Sequence, residues 1–279
     1  MQSLSGGKNL RHESGPSAIY LYCIGSSSLL QTVDGMGLDE EYPLMLFLYR
    51  ELAAIVSLVK LSDFCGASAR CRMEELEWIG PRACRHEQIV EEVMRSSPIM
   101  PLRFGTVFHS YESLEERLSR HHNEILPFLL RVADKEEWAI KGLISQKKTR
   151  EIFSTQQIAE AAMSLSPSPG IRHFQEQRLR LAVDRRLNQW LQEMSEKIAD
   201  DLSDLGIEIC MRKIFPRGFI QDDRDMFLNW ASLVPKHLTG DMHARFDRAN
   251  AEYAPYDVFF GITGPWPPYS FCPPLDDEA

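Results

Sequence analysis

The segment Gly264-Pro265-Trp266-Pro267-Pro268-Tyr269-Ser270-Phe271 follows directly on the run Val258-Phe259-Phe260-Gly261-Ile262-Thr263, and together they constrain the fold more than any other part of this chain. The first run is β-branched and aromatic and reads as a strand. The three prolines then fix φ and remove three amide donors, which excludes the segment from the interior of a sheet. The strand is expected to end at Thr263, and the chain to run on extended with Trp266, Tyr269 and Phe271 held on a stiff backbone. Rings held this way lose little freedom on binding. The segment is therefore either a strap over the core between two domains or a docking surface for a partner.

A chain of 279 residues that is 44% hydrophobic and 25% charged has the material for one or two real cores and is too apolar for disorder. The sharpest break is Ser164-Leu165-Ser166-Pro167-Ser168-Pro169-Gly170, read as a linker after a short helix. The division predicted is a flexible leader over 1–17, an N-terminal α+β domain over 18–145, a helix and linker over 146–170, and a C-terminal domain over 171–279 with the Pro/aromatic tail.

In the first half, strands are predicted over 19–24, 44–49, 52–58 and 99–108; the second and third are also readable as one bent strand, and the third as a helix. Residues 29–43 carry turn signals. A helical pattern over 69–95 is broken at Gly80-Pro81, and its second part puts Ile89, Val90, Val93 and Met94 on one face. A helix over 113–132 and a strand over 138–144 complete a sheet with helices on one face, an α+β sandwich. In the second half, Leu179, Val183, Leu187, Trp190, Leu191, Met194, Ile198, Leu202 and Leu205 recur at helical spacing, which predicts a long helix over 174–205 ended by Gly206. Strands follow over 207–215 and 226–234, joined by a turn, then a helix over 240–252 capped by Thr239 or Asp241, and the last strand. With the strand over 138–144 added, the order becomes β-α-β-β-α-β, that of a ferredoxin-like domain.

The net charge of −9 removes any general attraction to nucleic acid or anionic lipid, although the stretches 141–150 and 172–186 are locally basic. No apolar run is long enough to span a bilayer; the best, 44–59, is interrupted by Arg50 and Glu51. The polar N-terminus has no signal-peptide core, so a cytoplasmic protein with six reduced cysteines is expected. Cys23 and Cys210 are expected to pack as small core residues.

A search for chemistry finds little. Cys65, Cys71, Cys84 and His86 lack zinc-ribbon spacing, and Cys84 and His86 diverge on one helix, so no metal is expected. His109 and the pair His121-His122 read as solvated. Asp222-Asp223-Arg224-Asp225 reads as a turn, as does Asp34-Gly35-Met36-Gly37, a fragment of a dinucleotide fingerprint; no cofactor is expected. No nucleophile motif is present in the sequence. Arg103 remains, within Pro101-Leu102-Arg103-Phe104-Gly105-Thr106-Val107-Phe108. Strand alternation would put it on the face opposite Leu102 and Phe104, either pairing with Glu87 or Glu91 or contacting a partner beside the open space at Gly105.

Pro101–Phe108 and Gly264–Phe271, in this order, resemble motifs of the gas vesicle accessory protein family L/F. The likeness extends to Tyr20-Leu21-Tyr22, to His86 in the helix ahead of Pro101–Phe108, and to Glu137-Trp138-Ala139-Ile140-Lys141, so that it covers most of residues 18–271. The resemblance implies a non-enzymatic accessory of two α+β domains, the second ferredoxin-like, acting in the cytoplasm and at the gas vesicle. It implies binding of the hydrophobic shell subunit and of other accessory proteins, either during assembly alone or as a minor shell component. Arg103, Phe104, Trp266, Tyr269 and Phe271 are the residues of the right type for such contacts. The rival reading is a small-molecule enzyme in which Arg103 grips an anion and His86 acts as acid/base.

Overall fold

The computed structural model describes residues 17–65, 74–161, 168–215 and 224–275. The expectations for the leader, for the start of the helical pattern at 69–73, for the linker over 164–167 and for the turn over 216–223 lie outside these residues. The chain divides into two compact units, the first running to Ala133 and taking in Cys272, the second spanning Asp134–Phe271.

The first unit is organised by Ser17–Ser26 (β1), buried along nearly its whole length because other strands and both helical faces enclose it. It pairs antiparallel with Leu52–Lys60 (β3), which forms a hairpin with Met45–Tyr49 (β2) through Arg50 and Glu51. The ambiguous run over 52–58 is thus a strand. On its other edge β1 pairs with Ile99–Pro101 (β4) and Val107–Phe108 (β5). A bulge between Leu21 and Cys23 turns Tyr20, Tyr22 and Cys23 to one core, which also holds Ile55, Ile89 and Val90.

After the short helix Leu61–Phe64 (α1), Leu76–Met94 (α2) buries His86, Ile89, Val90 and Val93 at i, i+3, i+4 and i+7. It runs through Gly80-Pro81, where a break was expected. Tyr111–Val132 (α3) starts on a Ser110/Ser113 capping box and continues through Pro127. Phe47 stacks on Tyr111 of α3 at 5.5 Å, whereas Leu46 packs with the α2 core. Adjacent residues of a strand point to opposite faces, so helices cover both faces of this sheet, not one.

The second unit has the sheet order β7-β8-β6-β9, all antiparallel, from Lys135–Ile144 (β6), Glu208–Met211 (β7), Asp225–Pro235 (β8) and Val258–Trp266 (β9). The division at 145 puts β6 in the first domain, whereas the β-α-β-β-α-β order adds it to the second; it is an inner strand here, between β8 and β9. Gln146–Ala161 (α4) precedes Pro169–Ser203 (α5). Pro169 opens α5 instead of preventing it, since the first helical residue needs no amide hydrogen. Val183, Leu187, Met194, Ile198 and Leu202 of α5 enter the core with Ile140, Leu228 and Phe260, as the stripe predicted. The side chain of Leu179 lies outside the description, and Phe174, ahead of the core stretch, is 69% exposed. α5 closes with Ile207 N–H on the Leu202 carbonyl and Gly206 N–H on that of Ser203. Thr239–Tyr253 (α6) has no side-chain cap, so neither proposed residue serves as one. Cys210 is only half-buried, and β7 is shorter than the strand expected there.

Candidate functional site

The expected strand over 99–108 is interrupted. β4 ends at Pro101, Leu102 N–H reaches the Tyr22 carbonyl, and a turn closes with Thr106 N–H on the Arg103 carbonyl before Thr106 returns its own carbonyl to Leu21 N–H. Gly105 has φ of 89°, a left-handed conformation that costs a glycine little. The turn is held from beneath. Gly105 N–H donates to the Tyr20 hydroxyl at 3.0 Å, and the Tyr20 hydroxyl donates to His86 Nδ1 at 3.0 Å. His86 Nε2–H donates to the Leu102 carbonyl at 3.1 Å. A carbonyl only accepts, so this last bond fixes the tautomer and leaves Nδ1 to accept.

His86 is 2% exposed, edge-on to Tyr20 and stacked on Tyr22, with both ring nitrogens engaged. Burial lowers its pKa to about 4 and keeps it neutral, against the Leu102 carbonyl that favours the proton. Burial likewise raises Tyr22 to about 12, opposed by its hydrogen bond to Ser57. This constellation shapes a loop; it offers no reacting group to solvent. Phe104, expected as a contact ring, lies half-buried among Tyr20, Phe64 and His86. Arg103 is exposed at the turn and, among the described residues, its guanidinium has no partner, so neither Glu87 nor Glu91 holds it.

In the second unit, β9 does not stop at Thr263. It reaches Trp266, which pairs with Glu137, while Gly264 and Pro265 bulge opposite Trp138. Pro265 is tolerated because β9 is an edge strand with no neighbour beyond it in the sheet. Glu137 is 1% exposed. Its Oε2 accepts from Ser270 N–H and its Oε1 from Ser270 Oγ, both at 3.0 Å, and Arg212 Nη2 also donates to Oε1. Arg212 Nε donates in turn to Ser270 Oγ at 2.9 Å. Burial outweighs these donors and pushes the Glu137 carboxyl above the ordinary carboxylate range. The tail is thereby clamped in a 3-10 turn over Tyr269–Phe271, with Tyr269 and Phe271 half-buried and Trp266 38% exposed. Arg103 and Phe104 belong to the first unit; Trp266, Tyr269 and Phe271 belong to the second.

Other candidates fall into place separately. His121 is buried and bonded to Glu124, and His122 bonds to Glu51, so the pair is not solvated as expected. Cys84 is exposed on α2 while His86 points inward, and no metal-holding group of side chains occurs among the described residues. A cleft of about 650 Å³ in the second unit is floored by Phe153, Trp190 and Tyr256 and rimmed by Arg185, Arg186 and Glu193. No helix among the described residues is long and apolar enough to cross a membrane. The Tyr20–His86 and Glu137–Ser270 clamps were missed as interactions; their only sequence signal was membership in separate recurring motifs.

Two antiparallel sheets with associated helices, and polar clusters that position loops, define a mixed α/β protein. The chain belongs to the gas vesicle synthesis protein family GvpL/GvpF, whose model matches residues 18–273. It is 24% identical over 248 residues to Gas vesicle protein L of Streptomyces sp. (strain CB03234), covering 85% of this chain and 86% of that protein. Its fold is similar to the crystal structure of the gas vesicle protein GvpF from Anabaena sp. PCC7120, with TM-score 0.69, 17% identity and coverage of 92% of this chain and 98% of the other. The GvpF structure from Microcystis aeruginosa matches with TM-score 0.64 at 17% identity, covering 92% and 99%.

Proposed function

We propose that this chain is a non-enzymatic, cytoplasmic accessory that helps build the gas-filled shell by holding the hydrophobic shell subunit and other accessory proteins, with no role for nucleic acid or lipid. The family match across residues 18–273 carries this reading. A subunit that exposes apolar surface before polymerising aggregates unless that surface is covered reversibly, and aromatic and arginine side chains suit modest, reversible contacts. The clamped tail supplies Trp266, with Tyr269 and Phe271 behind it, on a backbone that needs no further ordering. Arg103, on a braced turn, is the matching candidate in the first unit, and Phe104 serves by packing under that turn. We read the second unit as a ferredoxin-like domain from its sheet order and from its element order, which is β-α-β-β-α-β with α4 added after β6, and the chain as two domains.

Co-purification from cells making vesicles tests this. The wild-type chain is expected to retain the shell subunit, and Trp266→Ala with Tyr269→Ala to lose most of it while circular dichroism and melting temperature stay unchanged. Trp266→Ala alone, at the more exposed ring, keeps the test readable where the double variant unfolds. A wild-type chain that captures no shell subunit overturns the proposal.

A further inference from the structure

β2 is the outer strand of the first sheet, and its sequence Met45-Leu46-Phe47-Leu48-Tyr49 carries no charge. Natural edges are normally shortened, bulged or charged, because an apolar edge invites another strand. The other sheet follows that rule: β7 has four residues and β9 ends in a bulge with Pro265. β2 does not. Leu48, the fourth of its five residues, is 60% exposed.

The backbone of β2 shows which groups are open. Tyr49 and Leu52 close the hairpin across Arg50 and Glu51, so they form a hydrogen-bonded pair, and the pattern alternates from there. Met45, Phe47 and Tyr49 therefore spend their N–H and C=O groups on β3. Those of Leu46 and Leu48 point to the outer edge. Upstream the edge is covered, by the Met36↔Pro43 bridge and by Leu44 N–H on the Gly35 carbonyl. Among the described residues nothing pairs with Leu46 or Leu48 on that side.

We propose that this window pairs with the same window of a second copy of the chain, antiparallel and centred on Phe47. In that register Leu46 of one copy exchanges backbone hydrogen bonds with Leu48 of the other, and the two-fold axis repeats the exchange, so every open group in the window is satisfied. The antiparallel arrangement also brings the end carrying exposed Arg50 toward the end carrying exposed Glu40 of the other copy, an attraction made twice. The covered segment at Gly35–Met36 sits where the other copy turns back at Arg50, which limits the contact to the open residues. Such an interface is small, and the dimer is reversible and concentration-dependent.

Sedimentation of the full-length chain over a concentration series, with amide hydrogen exchange on the same samples, tests this. A monomer–dimer equilibrium is expected, with the Leu46 and Leu48 amides slowing as concentration rises while the Phe47 amide is slow throughout. Leu48→Lys, at an exposed position that leaves the fold intact, is expected to weaken association about tenfold or more, since symmetry counts the change twice. Leu130→Lys, on the exposed face of α3 in the same unit, is expected to leave it unchanged. A chain that stays monomeric throughout overturns the proposal. So does a dimer unaffected by Leu48→Lys, or one in which the Leu46 and Leu48 amides keep exchanging fast, because association then uses another surface.

Discussion

Ser270 N–H donates to the buried Glu137 carboxylate at 3.0 Å, joining residues 133 positions apart and fixing the end of the aromatic tail to the sheet it leaves. The same carboxylate takes the Arg212 guanidinium and the Ser270 hydroxyl. A buried carboxylate with these donors holds its neighbours in place more than it stabilises the fold, since desolvation offsets most of its attraction.

Removing one side of that cluster leaves the other unsatisfied. Glu137→Ala is expected to cost about 3 kcal/mol in denaturant unfolding, and Ser270→Ala about 1 kcal/mol. Both are expected to speed proteolytic cleavage within residues 264–271. Unchanged cleavage in Glu137→Ala would mean that the tail is held by something else.

His86 sets an acid limit. Burial leaves it neutral down to about 4, whereas in the unfolded chain it takes a proton near 6.5. Between those values the unfolded state binds the extra proton, so stability is fully present above about 6.5 and falls as pH drops toward 4, by about 3 kcal/mol in total. In a His86→Gln variant that part of the acid slope is expected to vanish, read from unfolding midpoints between pH 4 and 7. An identical slope in both proteins would rule out His86 as its source.

Tyr20→Phe deletes the hydroxyl that joins Gly105 to His86 and leaves a buried donor and acceptor unpaired. A loss of about 2 kcal/mol is expected, together with faster exchange of the Gly105 amide. Stability loss without that change in exchange would show that the turn is supported by packing alone.

α5 has two different stretches. Leu187→Ala, in the core, is expected to cost about 3 kcal/mol, and Phe174→Ser, on the exposed stretch, to stay within about 0.5 kcal/mol. Equal losses at the two sites would contradict the boundary between them.

Much of the architecture was legible. The apolar spacing of α5 and the face of α2 came from local periodicity, whereas periodicity left the run over 52–58 open between strand and helix, and the order of short motifs pointed to the family. The motifs' meaning was not legible singly. Tyr20, Tyr22 and His86 converge beneath the Pro101–Phe108 turn, and Glu137 meets the tail, so each recurring string is half of a contact whose other half lies elsewhere in the chain.

By itself the sequence determined where most of the helices and strands form, because dihedral preference and side-chain period act over a few residues. Only the tertiary structure decided what those elements pair with. β6 joins the second sheet because β8 and β9 flank it; Pro265 stays in a strand because that strand is an edge; and the alternating run over 99–108 breaks because the Tyr20 hydroxyl takes an amide that a continuous strand would have spent on its neighbour. Each outcome depends on satisfying a backbone or buried polar group with a residue remote in the chain, and no local pattern encodes that partner.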